Sequence, residues 1–428
     1  MLDSQSLDLM KSFRLKIYCL KGSYNLDMDS HQDIDDNIFE LLSVFENCVD
    51  ESKKLITIDT LQKNTNKIRK NVTDFIERHK NVNPQINRLG AFMRDLDDGE
   101  YFYVLPGSEF SNLEMAKFGS HLHALNNDLN PLISERELIS FIGDFLDNYE
   151  MQVFDGERRL RIGIANKSKA ICRFCNKTSP SVKFKKKAHA ISEALGNKGI
   201  ICNEECDACN AAFGNGIETD LIAYLGFFRS IYGIKGKSSG TPKLKGKNFT
   251  VKKAETGHVE FSVLQQADGL PEKVDIYTHE KISQQNIYRS LCKYVISVIP
   301  NEHLAALDSC IEWINGNAEL GELPPVYTQI VNELYSEYPS LCVYIRKNSD
   351  IEIPHIVGEF RFASFLFLFI LPSSTLDSCT FTRESSLDKF WQISNQLKRG
   401  SQSKWTRLGL QSDERKELKI EVNFQQRV

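Results

Sequence analysis

Two Cys-x-x-Cys pairs constrain this chain more than any other feature: Cys172-Arg-Phe-Cys175 and Cys206-Asp-Ala-Cys209, with thirty residues between them. Each pair supplies two thiolates from a tight knuckle, and four thiolates complete a closed tetrahedral shell. The spacing therefore predicts a structural Zn2+ bound by Cys172, Cys175, Cys206 and Cys209, tying two loop ends together and leaving no open position for a substrate. Of the 11 cysteines, five fall between Cys172 and Cys209. Cys202 is spare and reads as core. The scattered ones, Cys19, Cys48, Cys292, Cys310, Cys342 and Cys379, read as small buried hydrophobes, since disulfides are rare in a reducing compartment.

The opening MLDSQSLDLMKSF carries Asp3 and Asp8 and has neither a basic nor an apolar signal region, so a cytoplasmic protein without a secretory signal is expected. The apolar run Phe365 to Leu371 falls short of the ~18 to 20 residues that span a bilayer. No membrane partner is expected.

Between the knuckles runs Phe184-Lys-Lys-Lys-Ala-His189-Ala-Ile-Ser-Glu-Ala-Leu-Gly-Asn197, and Asn210 directly follows the last zinc cysteine. Phe213-Gly and Ile217-Glu218 come after it. The order His, Asn, Asn nested within the two cysteine pairs resembles the HNH, or ββα-metal, endonuclease family, in the branch with a four-cysteine zinc site. The resemblance covers residues near 172 to 240. It implies that His189 is the general base, that Asn197 fixes the loop before the second strand, and that Asn210 ligates a catalytic divalent ion, Mg2+ or Mn2+. These roles suit phosphodiester hydrolysis. An imidazole accepts a proton from water near neutral pH, and a hard cation held by oxygen ligands stabilises charge on the phosphoryl and leaving oxygens.

Two positions depart from the family pattern. Ala188 stands where the family often has an acidic or histidine metal ligand; Glu218 is the favoured substitute if one continuous helix carries it and Asn210, with Glu193 and Asp207 behind it. Ser192 stands where the family usually has Pro, a change of loop geometry.

Charge is uneven along the chain. Residues 157 to 247 carry 18 basic and 7 acidic side chains, although the whole chain has a net charge of only -4. Such a basic middle in an acidic chain points to a polyanion partner. Lys185, Lys186 and Lys187 run into the base position, and Arg229, Lys235 and Lys237 follow the finger, so these six are expected to bind phosphates. Arg173, inside the first knuckle, reads as a phosphate ligand or a solvated residue.

The fold class expected is α+β, a central ββα-metal zinc module flanked by two mixed α/β domains: residues 1–165, the module at 166–240, and residues 241–428. Alternation at Phe13, Leu15, Ile17 and Cys19 predicts a strand, and helices are expected over 33–50 and 59–80. Ser134 to Glu137 has the spacing of a capping box opening a helix through Ile139, Ile142, Phe145 and Leu146. Asp155-Gly156 signals a hairpin between residues 151–154 and 158–164. His121 and His123, two apart, fit a strand face or loop better than a helical metal pair and are assigned no role.

Residues 234–248, rich in Gly, Ser and Lys, predict a flexible boundary. Beyond it, helical spacing recurs at Ile287, Leu291, Val295 and Val298 and at Leu304, Leu307, Ile311 and Ile314. Residues 340–345, 360–371 and 417–424 read as strands, the middle one apolar enough to be buried on both faces.

These readings converge on a metal-dependent endonuclease acting on nucleic acid, with DNA the favoured substrate and defence against phage or plasmids the favoured setting. The flanking domains are assigned regulation, targeting, a protein partner or oligomerisation. The alternatives are a zinc-stabilised nucleic-acid-binding protein without catalysis, consistent with Ala188, and an interaction protein scaffolded by the finger.

Overall fold

The computed structural model describes residues 11–20, 22–30, 34–50, 55–56, 59–80, 86–106, 110, 112–132, 145–155, 159–236, 240–254, 256–264, 273–330, 335–394 and 405–423. It is an α+β protein with two compact units, Met1–Gly143 and Asp144–Val428.

The first unit is built on an antiparallel sheet in the order Gly22–Ser30, Lys11–Cys19, Tyr101–Pro106, Leu61–Lys63. Leu15, Ile17 and Cys19 point into the core as their alternation predicts. Helix Ile34–Leu42 ends earlier than expected, and helix Asn66–His79 starts later, because Leu61–Lys63 pairs with Tyr101–Tyr103 before the chain turns. Thr65 then caps the second helix, its hydroxyl accepting from the Ile68 N–H. His121 and His123 lie on helix Asn112–Asn126, contrary to the strand or loop expected, and the Tyr103 hydroxyl bonds His121. The capping box at residues 134–137 lies outside the described residues.

The second unit carries a six-stranded antiparallel sheet in the order Thr406–Leu408, Val326–Ile330, Phe365–Ile370, Ile356–Phe362, Ser340–Arg346, Tyr149–Asp155. The apolar run at 360–371 is two strands, not one. The chain reverses at Ala363, whose φ is 52°, and Phe362 faces Phe365. Both faces are buried: Phe365, Phe367 and Phe369 join the core containing helix Gln284–Ile296, while Leu368 and Ile370 pack with Phe145, Tyr149 and Phe390.

The hairpin expected around Asp155-Gly156 is also corrected. Tyr149–Asp155 pairs with Ser340–Arg346, whereas Leu160–Ile162 pairs with Ile200–Cys202 in another sheet. Two consecutive strands thus part company, one joining the large sheet and one the zinc module. Instead of a purely flexible boundary, the basic stretch after residue 234 contains strand Lys243–Lys245, which pairs with Phe249–Lys253 and lodges Leu244 beside Phe227 and Phe249. Residues 237–239 lie outside the described residues. Helix Gln284–Ile296 appears where its periodicity places it, with Ser283 as N-cap. The second periodic stretch is broken into short 3-10 turns before helix Asp308–Ile314. Among the described residues, no helix is long and apolar enough to cross a membrane.

One core runs through the second unit. Cys172, Phe174, Leu195 and Leu221 of the zinc region share it with Leu291, Val295, Phe360 and Phe367. Residues 166–240 therefore do not own a separate core, although their chain ends had read as boundaries. A fragment of residues 166–247 is expected to give no cooperative thermal transition by far-UV circular dichroism, whereas residues 144–428 give one. A sharp transition from the short fragment would contradict the shared core.

Candidate nuclease site

The four thiols come together as their spacing predicts. The sulfurs of Cys172, Cys175, Cys206 and Cys209 all lie within 4.8 Å of one another. A Zn–S bond of ~2.3 Å in a tetrahedron sets sulfurs ~3.8 Å apart, and Cys175 and Cys206 are 3.8 Å apart. The cluster fits zinc. Backbone N–H groups of Cys206 and Cys209 donate to the sulfurs of Cys172 and Cys206, as turns around a metal-bound thiolate do. The hydrogen bond from Cys209 holds the Cys172 thiol down to about 5, and burial pushes Cys175 up to about 11.

On this base stand two short antiparallel strands, Ala188–His189 and Ile200–Cys202, followed by helix Asp207–Asn215, whose N-cap is Cys206 itself. The loop between the strands is closed from within. Asn197 is fully buried; its amide donates to the carbonyls of Ile191 (2.7 Å) and Ile200 (3.1 Å) and its oxygen accepts from the N–H groups of Gly199 and Ile200. Ser192 caps a 3-10 turn, Glu193–Leu195, and Gly196 ends it at φ 96°.

His189 is half-buried, with its ring bordering a cleft of about 1150 Å³ that Asn210, Glu193 and Glu218 also line. Its Nδ1 is buried without a hydrogen-bond partner, and its Nε2 is 3.8 Å from the Glu193 carboxylate. Burial holds the imidazole below its ordinary range; Glu193 opposes the shift and Lys293 adds to it.

Residues 172–225 match the HNH endonuclease family. This is an HNH endonuclease domain. No match to the chain was found among curated proteins or solved structures. The domain implies a nucleic acid substrate, and HNH nucleases use divalent metals.

Around the HNH domain the expected site residues separate. Ala188 is buried and offers no ligand atom. Of the carboxylates considered in its place, Glu218 and Glu193 reach the cleft, while Asp207 turns to accept from the Lys186 N–H. The continuous helix that would have carried Glu218 with Asn210 is absent. Gly216 breaks it, and Glu218 sits in the first turn of a second helix, Ile217–Tyr232. An amide oxygen from Asn210 and a carboxylate from Glu218 are hard donors that suit Mg2+ or Mn2+. Asn197 lies beneath the cleft, where it positions the loop.

Among the lysines, Lys186 and Lys187 line the cleft and Lys185 is exposed outside it. Arg229 is half-buried on the far part of the second helix, its Nε donating to the Ile234 carbonyl, and Lys235 is exposed away from the cleft. Their proximity in sequence does not become proximity to His189. Lys237 lies outside the described residues.

Arg173 is neither solvated nor available to phosphate. It pairs with Glu204 at 2.9 Å and donates to the carbonyls of Ile296 and Ile299, at the end of helix Gln284–Ile296. Such a cation satisfies a helix C-terminus.

Sequence reasoning missed Lys293. This ammonium, buried in helix Gln284–Ile296, donates to the His189 carbonyl (3.1 Å) and pairs with Glu205 (3.1 Å) and Glu218 (3.2 Å). Burial alone would lower its pKa, but the two carboxylates outweigh that and raise it. Glu205 is pushed by burial up to about 7, with Lys293 pulling the other way. The available signal was a lone lysine in a helix whose other faces are largely apolar, because a buried cation requires a partner.

Two outcomes follow from this geometry. Metal analysis should find one zinc per chain, and Cys209→Ser should lose it together with several degrees of melting temperature. Lys293→Met should cost ~3–5 kcal/mol in denaturant unfolding by stranding two buried carboxylates. Adding Glu205→Gln and Glu218→Gln to that variant should recover a large part of the loss.

Proposed function

We propose that the chain is a metal-dependent endonuclease that hydrolyses phosphodiester bonds in DNA. The observation that carries this reading is the convergence of His189, Asn210 and Glu218, three residues of the matched domain, on one basic cleft. His189 acts as general base, its lowered basicity keeping the imidazole neutral and ready to take a proton from the attacking water. Its backbone is held by Lys293 from below and by pairing with Ile201 from the side, so the ring enters the cleft from a fixed strand. Asn210 and Glu218 would hold the divalent ion, which when bound would supply Lewis-acid stabilisation to the phosphoryl and leaving oxygens. Lys186 and Lys187 attract and position the backbone without reading bases.

The reading extends to setting. We place the activity in defence against phage or plasmids, on the family resemblance, and assign targeting or restraint to residues outside the domain. A second reading has two observations in its favour: Glu218 is already paired with Lys293 and Ala188 supplies no ligand, which suits a nucleic-acid-binding protein without catalysis.

Supercoiled plasmid with Mg2+ or Mn2+ separates the two. Wild type should nick it, and His189→Ala should lower the rate by ~10²–10⁴, the usual worth of a general base. Equal nicking by both proteins would remove His189 from the mechanism, and no nicking by either would favour the binding protein. The pH profile is a further check. Because burial disfavours the imidazolium, the acid limb of the rate should fall below the ordinary histidine pKa of 6.5. Glu193 raises that pKa, so Glu193→Gln should move the limb to still lower pH.

A further inference from the structure

The family match begins at residue 172, yet the sheet that carries His189 has a third strand that precedes it. Leu160–Ile162 runs parallel to Ile200–Cys202, with Arg161 opposite Ile201 and Leu160 opposite Ile200. His189 also stands opposite Ile201, from the other side. Partners across a sheet project from the same face, so Arg161, Ile201 and His189 form one row on the cleft side. Two strand spacings of ~4.8 Å separate the ends of this row. Arg159 lies two residues before Arg161, hence on the same face, and both line the cleft.

The strand is anchored by more than its ladder. The Leu160 N–H donates to the Gly199 carbonyl, and the Asn203 N–H donates to the Ile162 carbonyl, so the arginines are tied to the same loop that Asn197 closes. Both arginines are exposed, and neither has an ion pair among the described residues. Lys186 and Lys187 approach His189 from the opposite edge of the sheet. His189 thus stands between two basic walls, one of lysines from inside the family match and one of arginines from outside it.

We propose that Arg159 and Arg161 form a phosphate track, binding phosphodiester groups on one side of the scissile bond while Lys186 and Lys187 bind on the other. This rests on the reading of His189 as the centre of cleavage and adds the direction of the strand: across the sheet, along the row from Arg161 to His189. The planar guanidinium suits paired hydrogen bonds to phosphate oxygens, which a lysine at the same place would lack. The two arginines position substrate and do not touch the attacking water.

The test uses the full chain. Binding of a fluorescently labelled 20-base-pair DNA duplex is followed by anisotropy in the His189→Ala background, so that no cleavage intervenes, from low to moderate salt. Every cation removed from a DNA phosphate lowers the slope of log affinity against log salt by ~0.9. Arg159→Ala with Arg161→Ala should therefore reduce the slope by ~1.5–2 and weaken binding at least tenfold at low salt, with melting temperature unchanged. In the His189-intact protein the same pair should raise KM at least tenfold and change kcat less than threefold, and Arg161→Lys should restore part of the KM.

A salt slope equal to that of the parent would overturn the track while leaving the endonuclease reading intact. A reduced slope in a protein that never cleaves would support the track and sink the catalytic assignment. Absence of DNA binding by the parent would sink both.

Discussion

Everything near the cleft depends on how one helix receives the zinc-clamped loops. Helix Gln284–Ile296 presents a buried ammonium in its last turn and open carbonyls at its end, and consecutive glutamates before the third cysteine of the cluster connect to both. Glu205 pairs with Lys293, and Glu204 pairs with Arg173, which also caps the helix. Zinc alone would fix four sulfurs relative to one another. These two buried ion pairs fix the zinc knuckles relative to the rest of the unit. Each is costly to form away from water and costly to break once formed, because a stranded buried charge has no cheap escape. The result is a domain whose cleft-lining face has little freedom to drift.

The same arrangement explains why the HNH domain does not stand as a separate body. Its own secondary structure is slight: two short strands, one 3-10 turn, a nine-residue helix and the first part of helix Ile217–Tyr232. Such pieces bury too little apolar surface to offset chain entropy by themselves. A zinc ion on the four cysteines would remove part of that entropy, and the large sheet behind helix Gln284–Ile296 supplies the remaining cover, placing Phe360 and Phe367 in the same core as Phe174 and Leu195. Residues before the family match contribute as well. Strand Leu160–Ile162 widens the sheet on one side, so the cleft is made by three stretches of chain that no single local motif would unite.

What the sequence disclosed and what it concealed divide along that line. The cysteine knuckles, the strand of His189 and the closing amide of Asn197 were legible because their chemistry is local: thiol spacing, and an amide with four backbone partners within six residues. Lys293 and Arg173 were not, since their partners lie 75 or more residues away in several cases and a lone cation in sequence says nothing about burial. The Asp155-Gly156 signal misled because a turn motif tells where the chain bends and not which strand it will pair with afterwards. The run at 360–371 misled for a related reason. Uniform hydrophobicity marks burial on both faces but erases the punctuation that would have revealed the reversal at Ala363, which a left-handed backbone accomplishes without glycine.

Charge shows most plainly why linear proximity is a poor guide to a site. The basic middle of the chain looked like one polyanion surface, yet its members go to different tasks. Arg173 is consumed inside the core, Arg229 steadies the end of its own helix, and Lys247 pairs with Glu417 on an outer sheet. What remains around His189 is smaller and more ordered. Behind His189 lies a buried group of one ammonium and two carboxylates, and in front lie Lys186, Lys187, Arg159 and Arg161. When both carboxylates are ionised, the buried group carries one excess negative charge, in a region where screening by water is weak. That layering has a consequence for the proposed chemistry. A divalent cation between the layers would be attracted from behind, while the front layer would hold the phosphate that the same carboxylates would otherwise repel, so neither wall could be neutralised without loosening the grip of the other.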